Sequence, residues 1–405
     1  MWDALPEDGR AGFLDVVKRF EEANPNIKVE VYFVPGGYEA ILERALTAYA
    51  GGSPPNIVHL AHVHSYHLKY NGVLMELDKY IEQDPTFDID DWYPAMIDIV
   101  RHDGKIYGVP YNVSTPINLV NLDLLQLSGL PARAPATWDE VVEFGRVITR
   151  DTSGDGEPDI WATDITRRPS WDNEMFVMQA GGQFASADGR ELLLNSPESV
   201  AAWEFTQMLV RERIARYPGA PRADFVGGKV GWWIRSTASL KARIAETNEV
   251  GMNMEVAFLP CGVTCHVPIG GGSFHAFNWG SQAEKDAAYK FLSFIAEPEN
   301  LAWYAGNAGY MAGRRSAVLT DFLQSVFRED PRFRVTYEQL VNGMPEAGTR
   351  VPEWHVIQGM LAAQGRGNFL DEVYYNLAPV RPLLDDITRR GNAVIAEYFS
   401  RAESR

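Results

Sequence analysis

Cysteine is almost missing from this chain: there are two, Cys261 and Cys265, in the run Cys-Gly-Val-Thr-Cys. Such scarcity suits an exported protein, and in an oxidising compartment the close pair is expected to form a small disulfide rather than stay as two thiols. Basic residues are outnumbered, 37 Lys and Arg against 54 Asp and Glu, and the formal net charge of −17 makes nucleic acid a poor partner. No apolar run approaches the roughly 18 residues of a membrane helix. The start Met1-Trp2-Asp3 lacks a basic stem leading into an apolar run, as expected either of an exported chain whose signal peptide has been removed or of a cytosolic protein. Gly 35 and Pro 24 are ordinary for a globular chain and exclude disorder or a fibrous repeat. Gly-x-Ser-x-Gly, a Walker phosphate loop and His-Glu-x-x-His are all absent, so the common enzyme signatures are missing.

What remains is an α/β pattern over 405 residues, enough for two or three folded units. Phe13, Val16, Val17 and Phe20 fall at helical spacing before Asn24-Pro25. The run from Ile27 to Phe33 then alternates as a strand. Ile41, Leu42, Ala45, Leu46 and Tyr49 mark a second helix that stops at Gly51-Gly52, and Asn56 to Leu60 reads as a buried strand. Thr137-Trp-Asp-Glu140 and Ser281-Gln-Ala-Glu284 each match a capping box that opens a helix. With no repeat and no long linker, the units are expected to be interwoven, with crossings near Pro110 to Thr115 and Gly270 to Ser273.

Three features carry chemistry. His62, His64 and His67 in His-Val-His-Ser-Tyr-His are expected to be polar pocket or surface histidines rather than metal ligands, because no paired acidic or Cys ligand lies nearby in sequence. Asp151, Ser153, Asp155 and Asp159 around Gly156 match the front half of a calcium loop. Position 12 is Ala162 instead of a bidentate Glu, so structural calcium and a solvated turn both stand as readings. The aromatics are abundant, with 11 Trp and 17 Tyr. Tyr38, Trp171 and Tyr310, beside Gly, Pro or polar residues, are the expected ligand walls, and Trp232 is a further candidate.

The segments FEEANPNIKVEVYFVPGGYEAILERALTAYAGGSPPNIVHL, YGVPYNVSTPINLVNLDLLQLSGLP followed by PATWDEV, PIGGGSF, and AYKFLSFIAEPEN leading to AGYM together resemble extracellular solute-binding proteins of ABC importers. Within that family of sugar and glycerol-phosphate binders the chain looks most like the glycerol-3-phosphate and glycerophosphodiester branch. The resemblance rests on Pro35-Gly-Gly-Tyr38, Asn112-Val-Ser-Thr-Pro116, Ile269-Gly-Gly271 and Gly348-Thr-Arg350. It implies a type II periplasmic-binding-protein-like fold of two α/β lobes joined by crossing hinge segments, closing on a ligand in the cleft and presenting that shape to a permease. The expected lobes are 1–111 with 266–317, and 112–265 with 318–405. Carried over by motif, Tyr38, Ser114, Trp171, Gly271, Ser273, Tyr310 and Arg350 stand at ligand contacts, with Gly270 beside them. Where the branch has an acidic residue for glycerol hydroxyls this chain has His62, and Arg168-Pro-Ser170 replaces a second tryptophan before Trp171.

The resemblance implies no catalysis, and the solute expected is glycerol-3-phosphate or a glycerophosphodiester such as glycerophosphocholine. A neutral mono- or oligosaccharide is the alternative solute. A glycoside hydrolase and a calcium-dependent adhesion module are the competing classes. The partners implied are a small polar solute and permease subunits, with no nucleic acid. The protein is expected to act as a monomer, in the periplasm or outside the cell, where a lipid anchor would keep it at the membrane's outer face.

Overall fold

The apolar stripe Phe13, Val16, Val17 and Phe20 becomes the buried face of a helix, Glu7–Ala23. Its phenylalanines meet a cluster of rings: Phe13 stacks on Phe274 with centroids 5.1 Å apart, and Phe20 meets Phe291 edge-on. Burial of such side chains contributes about 2 kcal/mol each and fixes where the helix lies on its sheet. The computed structural model describes residues 1–5, 7–166, 171–362 and 368–403. The chain divides into two units: unit 1 is Met1–Ser114, Ile269–Pro331 and Pro345–Trp354, and unit 2 is Thr115–Pro268, Arg332–Met344 and His355–Arg405.

The sheet of unit 1 is mixed. Trp2–Asp3 pairs in parallel with Tyr32–Phe33 and with Ile57–Ala61. The glycine-rich part of Val267–Ala276 runs antiparallel to Ile57–Ala61 on one side and to Val109–Ser114 on the other. The strand expected over 27–33 is hydrogen-bonded as strand only at Tyr32–Phe33, because Trp2–Asp3 offers a two-residue ladder. The helix Gly37–Ala50 ends at Gly51 as its sequence foretells.

The lobe boundaries differ from the sequence-based expectation most at the C-terminal end. Residues 318–331 belong to unit 1, since the helix Asp321–Glu329 buries Leu323 and Phe327 and packs on Pro298–Ala308. There Trp303 lies against Phe322, and Gly306 leaves the room, since a Cβ at that position would come within 2.7 Å of the Phe322 ring. Residues 345–354, Arg350 included, also return to unit 1.

Unit 2 is built on a three-stranded antiparallel sheet with Pro116–Asn121 at its centre, flanked by Trp232–Ser236 and Met254–Ala257. Ile117, Leu119, Phe225, Trp233 and Val256 pack on it as a core. Helices Trp171–Gln179 and Pro197–Arg211 pack together, and Trp203 of the latter meets Phe369 edge-on. Cys261 and Cys265 are joined by a disulfide. Both proposed caps open helices but differ in kind. Ser281 forms the full reciprocal box with Glu284, whereas Thr137 receives the Glu140 N–H while the Glu140 carboxylate turns to Ala136 N–H and Arg133. Among the described residues no helix is long and apolar enough to cross a membrane.

Candidate functional site

The Gly270 to Ser273 run lies in a strand, and its glycines answer close approach. Gly271 has φ +112°, and a Cβ there would sit 2.1 Å from Asn112 O, a position only glycine can fill. A Cβ on Gly272 would fall 2.7 Å from both His59 Nε2 and Asn112 Oδ1 and 2.8 Å from the Tyr38 hydroxyl. Those three groups form a chain: Asn112 Nδ2–H donates to Tyr38 Oη at 2.8 Å, and Asn112 Oδ1 meets His59 Nε2 at 2.7 Å. Strand Ile57–Ala61 supplies the histidine, Val109–Ser114 the asparagine, and the first turn of Gly37–Ala50 the tyrosine. Burial and the neighbouring Tyr310 push the Tyr38 phenol above its ordinary range.

His62 begins the turn after Ile57–Ala61. Its Nε2 lies 3.0 Å from Ile269 O and 3.4 Å from Glu346 Oε1. Burial pulls its pKa down to about 4, against the raising effect of the Ile269 carbonyl, so the ring is neutral at pH 7. Ser114 is the ladder partner of Gly270, and the next residue after Tyr310 is bound in, Met311 N–H donating to Val113 O at 2.9 Å. The Ala347–Thr349 turn, which delivers half-buried Arg350, packs on the His62–His64 turn. Unit 1 therefore holds Tyr38, His62, Ser114, Gly270, Gly271, Tyr310 and Arg350.

Two expected contacts are placed differently. The Ser273 hydroxyl is fully buried and meets His275 Nε2 at 2.7 Å, so it serves the interior of unit 1. Trp232, 1 % exposed, lies inside unit 2 in the strand opposite Val120, so its ring is not an open wall. Trp171 opens the helix Trp171–Gln179 in unit 2, half-buried, with its indole N–H shielded from solvent and unbonded among the described residues. The preceding Arg168-Pro-Ser170 lies outside the described residues.

The 151–159 loop is closed by its own hydrogen bonds. The Asp151 carboxylate accepts from Gly154 and Gly156 N–H at 2.6 and 2.7 Å, and Asp159 accepts from Thr152. The oxygens of Asp151 and Asp159 thus serve the loop's own donors, and Ser153 Oγ–H donates to Asp151 while Asp155 accepts from Glu157 N–H. Among the described residues no three His, Cys, Asp or Glu side chains are grouped to hold a metal ion.

Sequence reasoning passed over His59 and Glu346. His59 sits in a strand where alternation alone reads as core. Glu346 meets His62 only through the tertiary fold, and nothing in its local sequence announces that.

Residues 15–334 match the model of the family described as bacterial extracellular solute-binding protein. The chain belongs to this family. It is a solute-binding protein of an ABC importer rather than an enzyme, working outside the cytoplasm with a small solute and permease subunits as its partners. An sn-glycerol-3-phosphate-binding periplasmic protein of Escherichia coli O1:K1 is 22 % identical over 96 % of this chain and 90 % of its own length. UgpB from Mycobacterium tuberculosis in complex with glycerophosphocholine has a TM-score of 0.81 at 24 % identity, covering 98 % of each chain. The sugar-binding protein MalE from Xanthomonas citri reaches 0.84 at 20 % identity, covering 100 % of this chain and 99 % of its own. The fold is thus the two-unit α/β fold of this group, and it is common to binders of different solutes.

Proposed function

We propose that this protein captures glycerol-3-phosphate or a glycerophosphodiester, such as glycerophosphocholine, for import. The observation that carries the reading is the return of residues 345–354 to unit 1, which sets Arg350 on the unit that also holds Tyr38, His62, Ser114 and Gly271. A planar guanidinium binds two phosphate oxygens by parallel hydrogen bonds, a fork that lysine does not reproduce. Tyr38 and Tyr310, on the same unit, offer aromatic rings and hydroxyls. His62, neutral and buried, gives this chain a weaker hydroxyl acceptor than a carboxylate, which favours solutes recognised chiefly through their phosphate.

The test is mass spectrometry of whatever solute the purified protein carries, followed by a thermal-shift panel of glycerol-3-phosphate, glycerophosphocholine and maltooligosaccharides. The reading expects a rise in melting temperature with the phosphate compounds, which are recovered intact. A rise with the neutral oligosaccharides alone moves the assignment to a sugar stacked on Trp171.

A further inference from the structure

The His62-Val-His-Ser-Tyr-His67 motif has a use that the site as described leaves open. Residues Pro345–Trp354 lie in unit 1, although the chain before them, Arg332–Met344, and after them, from His355, lies in unit 2. Near the start of this segment Glu346 brings Oε1 to 3.4 Å from His62 Nε2, and near its end Glu353 brings Oε1 to 3.7 Å from His67 Nδ1. Both carboxylates are largely buried, their side chains 7 % and 19 % exposed. Arg350 lies between them in sequence.

The segment is also folded on itself. Thr349 Oγ1–H donates to Glu346 O at 2.7 Å, and a Cβ on Gly348 would sit 2.4 Å from the Trp354 indole. Glu353 has φ +53°, a left-handed conformation that costs a residue with a Cβ about 1 kcal/mol and persists where its surroundings hold it.

We propose that His62–Glu346 and His67–Glu353 are two fasteners that pin segment 345–354 to unit 1 and so position Arg350 for the solute's anion. The positioning half of this proposal rests on the reading of Arg350 given above. A loop that is loose before binding must be ordered when the ligand arrives, which weakens affinity; a loop pinned at both ends has already lost that freedom.

Two readouts separate the fasteners from the solute assignment. In the solute-free protein, hydrogen exchange of the 345–354 backbone should quicken in Glu353→Gly and in His67→Ala. Glycine relieves the strain at φ +53°, so a purely backbone role would leave Glu353→Gly as protected as the parent or more so. In calorimetry with glycerophosphocholine, each of these two disrupting variants should bind roughly tenfold more weakly, and the double variant little worse than either single. Unchanged exchange in Glu353→Gly, or losses of affinity that simply add, would overturn the proposal. If the parent takes no phosphate-bearing solute, the exchange experiment still decides whether the pairs fasten the segment, and the failure falls on the solute assignment.

Discussion

In unit 1 the polar interior is rich in imidazoles, beside a buried Asp3 carboxylate paired with Arg10, while in unit 2 no imidazole matches the buried Asp164 carboxylate held under a guanidinium among the described residues. Six of the eight histidines, His59, His62, His64, His67, His102 and His275, lie in unit 1. Burial holds four of them far below the ordinary value: His59 and His102 to about 3, His62 and His275 to about 4. They are linked through short neutral contacts, His102 Nε2 to Ser65 Oγ at 2.8 Å and His275 Nδ1 to Tyr107 O at 2.8 Å among them. In unit 2 the fully buried Asp164 carboxylate accepts from both terminal nitrogens of Arg235, at 3.2 and 2.6 Å, from Trp233 Nε1–H and from Ala220 N–H. Arg235 in turn lies 3.7 Å over the Trp233 ring. Neutral rings are inexpensive to bury near pH 7 but must stay neutral; a paired charge is tied instead to its partner.

The largest effect expected from this contrast is acid lability confined to unit 1. As pH falls below about 6.5 the unfolded chain takes up protons on these histidines before the folded chain does. Their contribution to stability is therefore complete above that pH and is lost on the way down to the folded values near 3 to 4. All four act in the same direction, so acidification is expected to open unit 1 before unit 2. Hydrogen exchange followed from pH 7 to 4.5 should show unit 1 strands such as Ile57–Ala61 losing protection while Pro116–Asn121 of unit 2 keeps it. Simultaneous loss in both units would break the comparison.

Next in size is Asp164→Ala. It leaves Arg235 without its anion and should destabilise unit 2 by about 3 kcal/mol in urea unfolding; the partial exposure of Arg235, 20 %, keeps the figure at the low end for a broken pair. A loss below about 0.5 kcal/mol would mean that the pair is only as strong as a surface bridge. The smallest effect sharpens the comparison through the caps. Ser281→Ala in unit 1 removes a reciprocal box and should cost about 1 kcal/mol, and Thr137→Ala in unit 2, whose Glu140 is engaged elsewhere, a few tenths less. Equal losses would show that the returning carboxylate adds nothing.

The first helix and the α/β alternation were legible because Phe13, Val16, Val17 and Phe20 encode their burial in local spacing. The family was legible for a similar reason, since its motifs are contiguous runs. The placement of Arg350 was not: nothing in Gly348-Thr-Arg350 says that ten residues leave unit 2 for unit 1, because that path is set by the fit of Glu346 and Glu353 to two histidines far away in sequence. Ser273 was assigned to the ligand through the family resemblance and Trp232 as an aromatic outside the helical core registers. Their burial depends on the tertiary fold: Ser273 turns to His275 on its own strand inside unit 1, and Trp232 into the interior of unit 2.

Titration calorimetry of the parent and of Arg350→Ala with glycerophosphocholine and glycerol-3-phosphate decides whether Arg350 holds the solute's anion. The account predicts binding by the parent, a loss of about 2 to 4 kcal/mol of affinity in the variant, since the anion would be desolvated without its fork, and an unchanged melting temperature in the absence of solute. Undiminished affinity in Arg350→Ala, or a parent that binds neutral oligosaccharides and neither phosphate compound, would contradict it.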